Sequence, residues 1–400
     1  MNTSTLIVNV GSTSIKTRLF DEGLKAIALL NADYGCAAGL NVDGMDKQGQ
    51  AFRQYHADDH DVRAALGIVL CTWQQWLARD SLKVSAIGHR IVHGGDYFSA
   101  ITPIDQHVLK QIGQLDSYAP LHNPLNRLGV LMAGQAFPAL PQFAVFDTAF
   151  HRQIPDYAGR YAIPEHLSER TNFYRYGFHG ISCQHSLTTA AELLACTPES
   201  LNLIILHLGG GASATAVRAG VSVDTSMGFS PTEGLIMASR CGDLDPMIAI
   251  TLQREGMTLD QLDKLLNQQS GLRGVCGESD MRRILQKAEQ GDVKAHLAIE
   301  MFCYRIKKYI GAYCAVLGNV SALIFTGGIG ENAPLIRQKI VQDLGHLGFA
   351  IDSNTNQLTC QHHLDISAEN SRSRVLVIHA EEERECARQM NYFSEVKTHL

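Results

Sequence analysis

Three glycine-led clusters carry the clearest chemical signal. Gly11-Ser12-Thr13-Ser14 is followed by Lys16. Gly209-Gly210-Gly211-Ala212-Ser213 repeats its small-residue character, and Thr326-Gly327-Gly328-Ile329-Gly330-Glu331-Asn332 places three glycines in four positions. Residues this small let backbone N–H groups close on an anion, and the hydroxyls add donors. A single such turn is more often an ordinary hairpin or βα turn. Its recurrence points to a phosphate chain, gripped from both sides by the first two turns. Near glycine turns sit Arg90 in G-H-R-I-V-H-G-G, Arg240 in S-R-C-G-D and His179 in Y-G-F-H-G. Guanidinium groups donate in a planar fork to carboxylate or phosphate, and an imidazole can donate to charge developing on a phosphoryl group. Taken singly, each reads as a salt bridge or a structural histidine; two arginines in different halves of the chain suit a shared anion better. Asp147 ends an apolar run, and Glu381, Glu382 and Glu383 follow another. One or two carboxylates suffice for Mg²⁺, which keeps several waters. A solvated helix start would favour the same acids.

The elements that position these residues form a repeat. Residues 6–15 (LIVNVGSTSI) and 204–213 (IILHLGGGAS) lie 198 positions apart. Each is an apolar β run, one polar residue (Asn9 or His207), one more apolar residue, and a glycine-led turn. An alternating run follows each turn, IKTRLF and ATAVRAG, so a strand–turn–strand unit occurs twice and the architecture reads as duplicated. Further strands are predicted at 85–91, 143–147, 321–326 and 375–378, the third running through a glycine-rich turn into the helix LIRQKIVQDLG. Thr258 and Gln261 spell a capping box. Ala295, Ala298, Met301, Phe302, Ile306, Ile310 and Leu317 fall near helical spacing, as a core helix would place them. Alternating strands and helices make the fold α/β. Residues 31–62, polar and glycine-rich, read as a surface excursion.

Composition narrows the class. At 400 residues, 45% of them hydrophobic and 18% charged, the chain suits two globular domains. No apolar run approaches the roughly 18 residues of a membrane span. The net charge of -6 comes with scattered Lys and Arg, against the basic stripe of a nucleic-acid binder. The start, MNTSTLIVNVG, lacks the basic region of a signal peptide. Ten cysteines without a C-x-x-C pair exclude zinc-ribbon and thioredoxin motifs and suit reduced thiols in the cytoplasm. The absence of any Gly-Lys dipeptide excludes a P-loop.

Together these blocks resemble the acetate kinase family of short-chain carboxylate kinases. The resemblance rests on VNVGSTSIK (8–16), GHRIVHGG (88–95), PLHNPLN (120–126), FDTAFH (146–151), YGFHG (176–180), HLGGGAS (207–213), DTSMGFSPTEGLIMASRCGDLDP (224–246), SDMR (279–282) and FTGGIGENA (325–333), in family order across nearly the whole chain. It implies a duplicated two-domain α/β fold of the actin, hexokinase and Hsp70 type (ribonuclease H-like), with an active-site cleft between domains. Domain one would span 1–148, completed by 383–400, and domain two 149–382. It implies reversible, Mg²⁺-dependent phosphoryl transfer from ATP to acetate, with Mn²⁺ able to replace Mg²⁺, in a cytoplasmic homodimer with no nucleic-acid or membrane partner. Asn9 and Glu382 (or Glu383, one residue on) would hold the metal. Ser12, Ser14 and Lys16 would line the phosphate path, and Arg90 and Arg240 would bind the carboxylate and the transferred group. His179 and Arg240 would stabilise the transition state. His207, Leu208, Gly209, Gly210 and Gly211, with Asp280, Met281 and Arg282 and with Gly328, Ile329, Gly330, Glu331 and Asn332, would cradle ATP. Val92, Leu121, His122, Phe178 and Pro231 would receive the small acid. Asp147 is the family's catalytic acid; since the nucleophile is already ionised, it reads better as an orienter. The chain departs from the family at Gly210, where asparagine is usual, and at His379-Ala380-Glu381-Glu382-Glu383, where the family reads P-T-N-E-E. A propionate or other short-chain acid kinase is the alternative. A non-catalytic ATP-binding module of the same fold is a second, argued against by Arg90, Arg240 and His179.

Overall fold

A computed structural model of the chain describes residues 4–35, 39–56, 61–358 and 363–398. The chain divides into two units, Met1–Ala149 with Glu381–Leu400, and Phe150–Ala380. The first is built on an eight-stranded sheet of β1 (Ser4–Val10), β2 (Ser14–Phe20), β3 (Ala26–Asp33), β4 (Leu40–Met45), β5 (Ala51–His56), β6 (Val84–Ile91), β7 (Thr102–Pro103) and β8 (Gln142–Phe146), in the order β5-β4-β3-β2-β1-β6-β8-β7. β1 is buried at every position, as its near-continuous apolar sequence requires of a strand covered on both faces. On one face Leu6, Val8, Ile15 and Leu19 pack with Leu66, Val69 and Trp73 of the helix Val62–Arg79. Trp73 is fully buried, and its Nε1 donates to Thr17 Oγ1 at 2.7 Å, which donates in turn to Leu30 O at 2.6 Å. The indole thus leaves no polar atom unmatched, and its truncation should cost about 3–5 kcal/mol. On the other face the helix Glu382–Thr398 lies on β1 and β6. A Cβ at Gly88 would stand 2.4 Å from Met390 Sδ, so glycine sets how closely that helix approaches.

The second unit holds a six-stranded sheet of β9 (Leu203–Leu208), β10 (Ala212–Arg218), β11 (Val221–Thr225), β12 (Ala322–Thr326), β13 (Leu364–Asp365) and β14 (Arg374–Val377), in the order β11-β10-β9-β12-β14-β13. Leu203, Ile205, Ile324 and Leu376 pack with Cys183, Leu187 and Ala190 of the helix Gly180–Leu193. The helix Val293–Leu317 contacts β10 and buries Ala295, Ala298, Phe302, Ile306, Ile310 and Leu317. The order β3-β2-β1-β6-β8 recurs as β11-β10-β9-β12-β14. In each, an antiparallel hairpin with a third strand is followed by two parallel strands. This is the duplicated α/β fold that the repeated turns predict.

Three expectations change. The stretch 31–62 supplies the end of β3 and all of β4 and β5; its residues 36–38 and 57–60 lie outside the described ones. Leu40 and Val42 point into the core between polar neighbours, so half its residues are polar because one face is exposed. The third glycine cluster is helical from Gly327 to Asn332, ahead of a separate helix Pro334–Val341. Met301 is exposed rather than core. The capping box stands: Thr258 Oγ1 accepts from Gln261 N–H, and Gln261 Oε1 from Thr258 N–H.

Candidate active site

In the first unit, β1 and β6 run parallel with Val8 opposite His89, which brings Asn9 and Arg90 side by side. β8 pairs with β6 so that Ile91 faces Phe146, and Asp147 follows directly. Arg90 grips Asp147 with two prongs, Nη2 to Oδ2 at 2.6 Å and Nε to Oδ1 at 3.1 Å. Its Nη1 lies 3.4 Å from Asn9 Oδ1 and 3.7 Å from Glu382 Oε2. Asn9 Nδ2 donates to Glu383 Oε1 at 3.1 Å, and the other Glu383 oxygen lies 3.7 Å from Arg18 Nε. Burial pushes the Asp147 carboxyl up to about 6; Arg90 opposes the rise and the charge of Glu382 adds to it. Burial works against the charge of Arg90 too, but Asp147, Glu382 and Glu383 hold it more firmly protonated than a free guanidinium.

Two residues quoted in a motif but given no role brace this set. Asn126 Oδ1 accepts from Val92 N–H at 2.9 Å and its Nδ2 donates to Val10 O at 2.8 Å. Asn123 bonds His93 in both directions, Oδ1 to N–H and Nδ2 to O, each at 3.0 Å. Both are buried in the first turn of the helix Asn123–Ala136. Their i,i+3 spacing, which puts two amides on one helix face, was the available signal.

In the second unit His179 adopts a left-handed backbone, φ 57 and ψ 22, at the start of the helix Gly180–Leu193. That conformation costs a non-glycine residue about 1–3 kcal/mol and gathers at functional sites. Its Nδ1 lies 3.0 Å from Ser213 Oγ, and its ring stacks on His207 with centroids 4.1 Å apart. Ser182 Oγ holds His207 Nδ1 at 2.8 Å. A Cβ on Gly211 would stand 3.2 Å from His179 Nε2 and 3.6 Å from Arg240 Nη1. The glycine therefore keeps clear the point where an imidazole nitrogen and a guanidinium converge. Arg240 Nη1 donates to Pro231 O at 3.1 Å. Burial lowers its pKa, but a guanidinium stays charged at neutral pH. The second and third glycine clusters face each other: a Cβ on Gly209 would come 3.9 Å from Gly328 N, and one on Gly210 or Gly328 would meet nothing within 4 Å.

The other expected residues divide by what their atoms already do. Ser12 and Lys16 are exposed and Ser14 half-buried beside the β1–β2 turn, where Gly11 N–H donates to Ser14 O at 2.8 Å. Val92 is buried, Leu121 exposed, and His122 precedes the helix Asn123–Ala136. Phe178 is buried, and its carbonyl lies 3.0 Å from His151 Nε2. Leu208 and Met281 are core side chains, so only their backbones are available to a ligand. Asp280 caps its own helix through Arg282 N–H and pairs with the Arg282 guanidinium at 2.6 Å. Asn332 Nδ2 donates to Gly328 O at 3.0 Å. Glu331 spends its carboxylate on Ala380 N–H, at 2.9 Å, and His379 Nδ1, at 3.1 Å. Ile329 is half-buried between them.

The first set fits a hard divalent cation. Asn9, Asp147 and Glu382 offer oxygens only, as Mg²⁺ and Mn²⁺ prefer. Three carboxylates, Asp147, Glu382 and Glu383, share Arg90 and Arg18. Glu383 is engaged by Asn9 and Arg18, and Glu382 faces Arg90.

The chain matches the model of the Acetokinase family over residues 4–388. An acetate kinase of Sulfurovum sp. (strain NBC37-1) is 43% identical over 386 residues, covering 96% of this chain and 97% of that protein. Among solved structures, a Porphyromonas gingivalis acetate kinase aligns with TM-score 0.86 at 34% identity, covering 96% of this chain and 98% of its own. A propionate kinase from Francisella tularensis aligns with TM-score 0.89 at 38% identity, covering 97% and 98%.

Proposed function

Because the chain belongs to the acetokinase family, we propose that it is an acetate kinase, transferring the γ-phosphoryl group of ATP directly and reversibly to acetate to give acetyl phosphate and ADP. The observation that carries this reading is the bare Gly211, with His179 Nε2 and Arg240 Nη1 converging beside it and a second glycine cluster facing the same turn. The nucleophile, a carboxylate of pKa about 4, is ionised at pH 7 and needs no strong base. What the reaction needs is relief of repulsion between two anions and their alignment. Arg90 binds the acid through the guanidinium edge that Asp147 leaves open, and Asp147 fixes the plane of that fork. His179 and Arg240 meet the charge on the transferred group. Gly209 to Gly211 and Gly328 to Asn332 receive the nucleotide. Asn9 and Glu382 are the residues to hold Mg²⁺, which when bound neutralises phosphate charge.

Acetyl hydroxamate trapping with ATP tests the reading, run with acetate, propionate and butyrate. Product with acetate is expected; none with any acid would overturn the proposal. Propionate should be a poorer substrate without being excluded, since one methylene is worth only about 1–3 kcal/mol and Val92 is a buried, branched side chain. Gly210 removes a side-chain amide from the nucleotide turn and should weaken ATP binding. The described cysteines are all free, which suits the cytoplasm, and the working form is a homodimer. No helix among the described residues is long and apolar enough to cross a membrane.

A further inference from the structure

Arg337 stands out among the buried groups that the chemistry above does not use. It is 1% exposed and, after Trp73, the largest fully buried side chain among the described residues. It lies on the helix Pro334–Val341, and its acceptors are all neutral. Nη1 donates to Gly330 O at 2.8 Å and to Glu331 O at 2.7 Å. Nε donates to Asn356 Oδ1 at 2.8 Å, and Nη2 to Asn356 O at 2.7 Å. Asn356 is itself fixed, its Nδ2 donating to Pro334 O at 3.0 Å. Burial pulls the guanidinium down to about 10, so it remains charged at neutral pH. Burying a charge without a carboxylate partner is costly, and a neutral side chain could fill the same space. The arrangement is explained by what it holds. Both clamped carbonyls belong to the short helical segment Gly327–Asn332. Six residues including three glycines do not form a helix unaided. The segment is pinned at its far end by Arg337 and by the Glu331 carboxylate on Ala380 N–H, while space over Gly328 stays open.

We infer that Arg337 is a positioning residue for the nucleotide: by clamping Gly330 O and Glu331 O against Asn356, it presets the Gly328 end of the segment to receive ADP or ATP. This rests on the reading that Gly328 to Asn332 receive the nucleotide, so the experiment separates the two. ADP binding is measured by titration calorimetry on the full chain, alongside steady-state kinetics. Gly328→Val puts a side chain into the open space; an unchanged ADP Kd there would overturn both the nucleotide assignment and this inference. With Gly328→Val weakened, Arg337→Lys, which keeps the charge and loses the fork, should raise the ADP Kd and the ATP KM about tenfold while kcat and the acetate KM stay within about twofold. A residue serving stability alone would lower the Tm and leave the Kd of the folded protein unchanged, and that result overturns the inference. Should Arg337→Lys not fold, Asn356→Ala removes one acceptor and keeps the backbone one. It should raise the ADP Kd about threefold, and an unchanged Kd there is equally decisive against it.

Discussion

The Asp147 carboxylate, raised to about 6 by burial, titrates just below neutrality while gripping Arg90 with both oxygens. Protonation would release one prong and let the guanidinium turn. The kcat/KM for acetate should therefore fall below pH about 6, and this acid limb should vanish in Asp147→Asn. The variant should turn over about a hundredfold more slowly, the scale expected when an aligned group is misplaced. An acid limb that persists in the variant would assign the titration to another group. Arg90→Ala and Arg240→Ala should each cut turnover by more than about a hundredfold while far-UV circular dichroism stays native. Gly211→Ala makes a separate prediction. Its methyl would stand 3.2 Å from His179 Nε2 and 3.6 Å from Arg240 Nη1. Both are ends of side chains, so the fold can absorb the contact and the anion cannot. Turnover should drop about as far as in Arg240→Ala, with a Tm close to wild type; a Gly211→Ala enzyme of normal rate would remove these two donors from the phosphoryl site.

At the scale of elements, Asn126 ties the ends of two parallel strands, β1 through Val10 O and β6 through Val92 N–H, to one helix. Asn126→Ala leaves both buried backbone groups unmatched, at about 1–3 kcal/mol each. Urea unfolding should show a loss of roughly 2–4 kcal/mol, with a raised acetate KM because Arg90 precedes Val92 by two residues. A stability change under about 0.5 kcal/mol, the range of ordinary surface substitutions, would show the tie to be dispensable. The hairpins at Gly11 and Gly209 were legible in the sequence because apolar run, polar residue and glycine turn recur in the same order, and hairpin chemistry is local. β4 and β5 were not, because β4 alternates buried and exposed residues and β5 is largely exposed. Their place at the sheet edge is decided by pairing with β3, a tertiary fact. The Arg90–Asp147 pair was half legible: both residues were singled out, but only the parallel β6–β8 register joins them. The helix Gly327–Asn332 was hidden by its glycines, since its stability comes from Arg337, outside the segment.

For the whole molecule, acid stability follows from groups buried in each unit. In the first unit burial pushes His89 down to about 4, against the Gln142 contact, and in the second it pushes His151 down to about 4, against Phe178 O. Histidine folded with a lowered pKa stabilises fully above pH about 6.5, and that contribution is lost as pH falls toward 4. Each shift corresponds to roughly 3 kcal/mol at most. Asp147 has the opposite sign. Its raised pKa means that its contribution is greatest below about 3.8 and is lost as pH rises through about 6. Within the first unit, then, Asp147 and His89 largely cancel between pH 4 and 6. In the second unit Asp224, raised by burial against the pull of Arg175 and its bond from Thr225 N–H, opposes His151. Trp73 and Trp76, the two tryptophans of the chain, both lie in the first unit, so indole fluorescence follows that unit while far-UV circular dichroism follows both. Urea unfolding by fluorescence should depend weakly on pH between about 6.5 and 4.5 in the wild type. In Asp147→Asn the cancelling partner is gone, and stability should fall by roughly 2 kcal/mol over the same range. Loss of the Arg90 partner shifts the variant's curve as a whole without giving it this slope. Parallel curves for wild type and Asp147→Asn would mean that Asp147 folds with an ordinary carboxylate pKa, and would remove the acid limb argued for the rate as well.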